Sequence, residues 1–128
     1  MRVLKTRVFA RWARRDGPTD SQVMRAVEEM RRGWVDADLG AGLFKKRVAR
    51  AGAGKSGGYR TLLASNCRDR WVFLFGFAKK DRENIDEKEK NDLRRVAGIL
   101  LGNSESDIAR LIDAGELQEV KDGKSQAS

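Results

Sequence analysis

Histidine is absent from this 128-residue chain, and cysteine, proline and tyrosine occur once each, as Cys67, Pro18 and Tyr59. Without an imidazole, neither a Ser-His-Asp nor a Cys-His apparatus can be assembled, and no His-liganded metal site is possible. A single thiol permits neither an internal disulfide nor a multi-cysteine zinc site, and Cys67 reads as an incidental thiol in a turn over Asn66-Cys67-Arg68-Asp69. No cofactor or metal is expected. One proline leaves no candidate linker, and there are no repeats. The length fits one domain with one core, assigned to residues 1–120, with 121–128 a polar tail expected to fray. The longest apolar run, around Val72 to Phe75, is far too short to span a membrane. The opening Met1-Arg2-Val3-Leu4-Lys5-Thr6-Arg7 lacks the apolar core of a signal peptide. A soluble protein of a reducing compartment is the resulting expectation.

What the chain has in excess is positive charge. Lys plus Arg number 27 against 19 Asp plus Glu, a net charge of +8. The surplus is uneven: residues 1–80 hold 19 basic and 7 acidic side chains, residues 81–128 hold 8 and 12. Confinement to one part of the chain is the footprint of phosphate contacts, so a polyanionic partner is expected. The competing reading is a solvated basic face without a ligand.

Hydrophobic spacing organises the rest. A short strand over Arg2–Lys5 leads to Thr6, which can cap a helix carrying Val8, Phe9, Trp12 and Ala13 and stopped by Gly17, although the same stretch admits a strand. Thr19 and Gln22 have capping-box spacing ahead of Val23, Ala26, Val27 and Met30, which line one helix face before Gly33. Leu39 to Leu43 reads as a turn. Strands are predicted over Phe44–Arg50, Tyr59–Ser65 and Arg70–Ala78, joined by a Gly-rich loop over Ala51–Gly58 and the turn at Cys67. In the last strand Trp71, Phe73, Phe75 and Phe77 alternate onto one face, Val72 and Leu74 onto the other. Both faces are apolar, so this strand belongs in the middle of the sheet. Asp86 and Glu89 open a helix bearing Leu93, Val96, Ala97, Leu100 and Leu101. Ser104 caps a last one with Ile108, Leu111 and Ile112, which either packs on the sheet or helps to bind a partner. Trp34 and Trp71 read as core. The sum is a compact α+β domain, with helices first, a small antiparallel sheet, then helices.

Gly54-Lys55-Ser56 invites comparison with a nucleotide-binding P-loop, but the pattern requires glycine where Ala49 stands, and a strand rather than a helix follows. The informative feature is a set of cations from separate stretches: Lys45, Lys46, Arg47 and Arg50, then Lys55 and Arg60, then Lys79, Lys80 and Arg82. Lys45 and Lys46 are adjacent on a strand and point to opposite faces, so at most one of them lines a shared site. Such a set suffices for RNA cleavage without histidine, because RNA supplies its own nucleophile in the 2′-OH. A lysine surrounded by cations can act as acid or base, and arginine forks can clamp phosphate oxygens as charge develops. Tyr59 can stack on a base or shape the site. Composition alone favours plain nucleic-acid binding.

Lys45 to Arg50, the Gly-Lys-Ser-Gly-Gly-Tyr-Arg run at 54–60 and the Gly-Phe-Ala-Lys run at 76–79 with its trailing Asn84-Ile85 together resemble the RelE/HigB-type toxins of bacterial toxin–antitoxin pairs. The resemblance implies a microbial-ribonuclease-like fold. It also implies a cytoplasmic endoribonuclease that cleaves messenger RNA on the translating ribosome and is neutralised by a cognate antitoxin, often a helix-turn-helix protein. It implies catalytic roles for Arg60 as phosphate-stabilising arginine, for Lys80 and Lys79 at the end of the last long strand, and for Lys55. RNA contacts are expected from Lys45, Lys46, Arg47, Arg50, Tyr59 and Arg82. The chain departs from some relatives in having no tyrosine near Asp86. Two alternatives remain open: a ParE-like toxin that poisons DNA gyrase through protein contact, and a nucleic-acid-binding protein whose catalytic set has decayed.

Overall fold

A computed structural model describes residues 1–50 and 54–121, the side chains of residues 55 and 56 excepted. Residues 51–53 of the expected Gly-rich loop and the tail beyond 121 lie outside the described residues. Each helix starts where a short polar side chain captures an orphan N–H. Thr6 accepts from the Phe9 amide at 3.1 Å and opens α1 (Arg7–Asp16), while reciprocal capping boxes open the next three helices. Thr19 and Gln22 start α2 (Asp20–Arg31), Asp86 and Glu89 start α3 (Glu87–Gly102), and Ser104 with Asp107 starts α4 (Glu105–Asp113).

Between and around these helices run β1 (Arg2–Thr6), β2 (Ala37–Gly40), β3 (Leu43–Arg50), β4 (Gly54–Ser65), β5 (Arg70–Ala78) and β6 (Leu117–Glu119). They form one sheet in the order β2-β3-β4-β5-β1-β6. The expected strands are present, but the sheet is mostly rather than wholly antiparallel, because β1 pairs with β5 in parallel. The segment expected as a loop up to Gly58 is strand from Gly54 onward, so β4 is long and pairs with β3 as far as Arg50. The short β2 and β6 carry no alternating pattern, and hydrophobic spacing alone does not predict them.

Both sheet faces are covered. Under α1 and α2 lie Phe9, Val23, Val27, Val48, Tyr59, Leu63, Trp71 and Phe73. Under α3 and α4 lie Leu4, Leu43, Leu62, Val72, Leu74, Phe77, Leu100 and Ile108. Trp71, Phe73 and Val72 are fully buried, and burial of side chains this large contributes about 1.5–3 kcal/mol each.

The alternation expected along β5 fails at its midpoint. Leu62 pairs with Phe75 while its neighbour Leu63 pairs with Phe73, leaving Leu74 as an extra residue in a β-bulge. A one-residue offset reverses every later side chain, so Phe75 and Phe77 join the α3 face rather than that of Trp71 and Phe73. The Leu74 carbonyl accepts the Thr6 hydroxyl at 3.1 Å, which ties the bulge to the start of α1. The same reversal turns Gly76 toward α1, where a β-carbon would come within 2.2 Å of the Trp12 ring. Glycine stands there because the indole occupies the space. At the other end of the strand, the buried Arg70 guanidinium donates to the carbonyls of Leu100 and Asn103 at 2.9 and 2.6 Å and meets Glu105 at 3.2 Å, joining the end of α3 to the start of α4.

Candidate functional site

The register of three strands brings Arg47, Arg60 and Phe77 abreast on the α3 face, since Arg47 is opposite Arg60 and Arg60 is opposite Phe77. Directly opposed residues share a face. The adjacent row on that face is Lys45, Leu62 and Phe75. Lys45 therefore lies beside Arg60, as the alternation required of one member of the Lys45-Lys46 pair.

Arg60 is the centre of this arrangement. It is 7% exposed, and its Nη1 is buried with no hydrogen-bond partner among the described residues. Burial first, and the charge of Arg47 second, hold its guanidinium below the ordinary arginine pKa, with Asp36 and Glu83 acting in the opposite direction. It remains a cation at physiological pH. Arg47 is largely exposed and partly balanced by Asp36, whose carboxylate accepts from the Arg47 amide at 2.6 Å and sits 3.8 Å from its Nε. Two like charges directly opposite one another destabilise a strand pair. A buried guanidinium without a carboxylate partner among the described residues adds to that cost, and a phosphate placed between the two arginines would relieve both.

One wall of the site is aromatic. The Arg82 guanidinium lies over the Phe77 ring at 5.1 Å and is held there by Glu89 at 2.6 and 3.1 Å and by the Asn84 carbonyl at 3.0 Å. The hydrogen bonds from Arg82 hold the Glu89 carboxyl below the usual glutamate range, helped by the backbone N–H of Asp86, while Glu89 raises the Arg82 pKa. Arg82 is thus engaged within the fold and braces the ring against the first turn of α3.

The remaining candidates divide sharply. Lys79 and Lys80 follow directly on β5, whose last residue Ala78 is opposite Tyr59. The Lys79 amide extends the ladder to the Gly58 carbonyl at 3.1 Å, and Lys79 is half-buried and Lys80 exposed. They stand at the end of the Arg60 site. Lys46 and Tyr59 are on the opposite face. Lys46 is buried, 2.8 Å from Glu29 of α2 and 3.0 Å from the Trp34 carbonyl, and Tyr59 packs edge-on against Trp12 at 5.6 Å. Arg50 is exposed at the far end of β3, beside a recess also lined by Gln22, Arg25 and Glu29. The backbone of Lys55 lies in β4 five residues from Arg60, about 16 Å of extended chain. Its side chain is outside the described residues.

Sequence reasoning missed three contributors. Phe77 was assigned to the other face because the bulge leaves no composition signal. Asp36 lies in an acidic-apolar stretch without a motif. Trp34, expected in the core, is 60% exposed. No group of three or more Cys, Asp or Glu residues positioned to hold a metal occurs among the described residues, and no helix among them is long and apolar enough to cross a membrane.

Residues 1–120 match the family model described as the RelE toxin of the RelE / RelB toxin-antitoxin system. No curated protein matches the chain.

Proposed function

The chain belongs to the RelE family and is the toxin component of a toxin–antitoxin system, with a cognate antitoxin as its partner, and we propose that it is an endoribonuclease that cleaves messenger RNA on the ribosome. The observation that carries this reading is the buried Arg60 guanidinium, flanked by a second arginine and an aromatic ring, with its Nη1 unpartnered among the described residues. A phosphodiester is the natural occupant of such a site, and the flanking ring accommodates a sugar or a base.

In this reaction the 2′-oxygen of one nucleotide gives its proton to a base, either a neutral lysine amine or a water molecule, and bonds to the adjacent phosphorus. The bond to the 5′-oxygen breaks, leaving a 2′,3′-cyclic phosphate and a 5′-hydroxyl. Arg60 clamps the non-bridging oxygens, where charge accumulates in the phosphorane. Arg47 and Lys45 hold the neighbouring phosphates. Lys79 or Lys80, at the end of β5, supplies the proton taken up by the departing 5′-oxygen. Lys55 is the remaining lysine available to this chemistry. A helix-turn-helix antitoxin that covers these cations would silence the toxin, and a cytoplasmic bacterial setting follows from a ribosomal target.

The test is cleavage of a defined message in a ribosome-supplemented reaction, mapped at nucleotide resolution. Arg60→Ala is expected to slow cleavage about a hundred- to a thousandfold, as removal of one oxyanion donor does, while circular dichroism shows a folded protein. Unchanged cleavage by that variant would remove Arg60 from the chemistry. No cleavage by the unaltered protein, accompanied by inhibition of gyrase supercoiling, would replace the nuclease reading with gyrase poisoning.

A further inference from the structure

Trp34 is an anomaly of this fold. Trp71 is fully buried and Trp12 packs against Phe9 and Tyr59, whereas Trp34 is 60% exposed. Its backbone, in contrast, is fixed at both polar groups. The Trp34 amide donates to the Glu29 carbonyl at 2.9 Å, and the Trp34 carbonyl accepts from Lys46 Nζ at 3.0 Å. Lys46 is itself buried and paired with Glu29 at 2.8 Å. The next residue, Val35, packs into the α2-side core, so Trp34 and Asp36 on either side of it are directed away from that core. Asp36 then bonds to the Arg47 amide. The exposed indole is thus carried on a rigid mount, two residues before the aspartate that bonds to the amide of the arginine opposite Arg60. Asp36 bonds to β3, which lies one inter-strand step, about 5 Å, from β4. Arg32, exposed at the end of α2 two residues before Trp34, makes no ion pair among the described residues.

We propose that Trp34 is a stacking platform for an unpaired nucleobase of the RNA strand whose phosphate is held at Arg60, and that Lys46 and Glu29 are positioning residues that fix its backbone. This rests on the RNA reading given above and adds to it a base contact on the β3 side of the site. Stacking on an indole tolerates any base because every base presents a π-face, and preorganisation of the ring lowers the ordering cost of binding. The platform therefore sets how the strand is seated rather than which phosphate is cut.

The experiment uses the intact protein at low ionic strength with two probes, a short single-stranded oligoribonucleotide and inorganic polyphosphate of similar charge. Affinity is measured by competition against a labelled oligonucleotide, and tryptophan emission is followed in parallel. The oligoribonucleotide is expected to quench the red-edge emission of the exposed indole, and polyphosphate is not. Trp34→Phe should lose that quenching while keeping near-normal RNA affinity. Trp34→Ala should weaken RNA affinity by roughly tenfold with polyphosphate affinity unchanged. RNA binding without red-edge quenching, or with equal affinity in Trp34→Ala, overturns the platform and leaves the nuclease reading intact. Equal weakening toward both probes also overturns it, since that is the mark of a general disturbance of the basic face. Absence of RNA binding by the unaltered protein overturns both.

Discussion

Replacing Arg60 by methionine should stabilise this protein while abolishing its activity. The substitution keeps an unbranched stem in the same slot and removes the charge. The buried Nη1 has no hydrogen-bond partner among the described residues, and an unsatisfied buried donor costs about 1–3 kcal/mol. The opposing Arg47 adds roughly 0.2–1 kcal/mol of like-charge repulsion. Some packing is lost with the wider guanidinium, so the net expectation is a gain of about 1–3 kcal/mol. For a domain of this length that corresponds to a rise in Tm of roughly 5–10 °C. Thermal unfolding followed by circular dichroism in phosphate-free, low-salt buffer measures it. Inorganic pyrophosphate should raise the Tm of the wild-type protein and leave that of Arg60→Met nearly unmoved, because the ligand binds only where the cation remains. A variant that melts below the wild type would show that the guanidinium is satisfied in the native state and would refute the reasoning. Exchange of stability for function at one residue is what a buried cation with an unsatisfied donor entails.

Three further outcomes are expected. Gly76→Ala places a methyl group against the Trp12 ring, within 2.2 Å in the present geometry, and should cost about 1–3 kcal/mol by overpacking; urea unfolding checks this, and an unshifted midpoint would mean that α1 moves freely. Glu89 has a depressed folded-state pKa, so its contribution is present above the ordinary glutamate value of about 4.3 and is lost as pH falls through the lower folded value. Glu89→Gln should therefore show a shallower loss of stability below about pH 4.5 than the wild type, and parallel acid curves would contradict the pairing with Arg82. Finally, contacts to three or four phosphates predict a slope of about −2 to −3 in log affinity for single-stranded RNA against log salt, with Arg47→Ala reducing its magnitude by about 0.7; a flat dependence would exclude phosphate contacts as the basis of binding.

Much of this architecture is written in local chemistry. Thr6, Thr19, Asp86 and Ser104 announce the four helix starts because capping is a contact between residues three apart. The central position of β5 follows from its apolar residues at both parities. What escaped the sequence depends on partners far along the chain. The parallel β1–β5 pairing, the strand character of Gly54–Gly58 and the brief β2 and β6 are imposed by neighbouring strands rather than by their own composition. The candidate site divides in the same way. That Lys45 and Lys46 part company follows from strand periodicity, and Lys45 does face the Arg60 side. That Lys46 serves Glu29 and Trp34, and that Arg82 is consumed by Glu89, requires knowing which helix lies over which strand. From sequence Trp34 reads as core because aromatic residues usually bury themselves; its exposure follows from the clamp on its backbone.

The extra residue in β5 is a phase shifter. Upstream of Leu74 the even-numbered side chains look toward α3, and downstream the odd-numbered ones do. Deleting that residue would close the bulge and restore plain alternation, with Phe75, Gly76 and Phe77 still opposite Leu62, Thr61 and Arg60. A single deletion is therefore tolerable at the bulge, where one residue is surplus, and shifts the facing of its neighbours where none is, whatever the hydrophobicity of the residues involved. An alignment that slides a single gap along the segment would preserve every apolar match and still dismantle the aromatic wall beside the buried arginine.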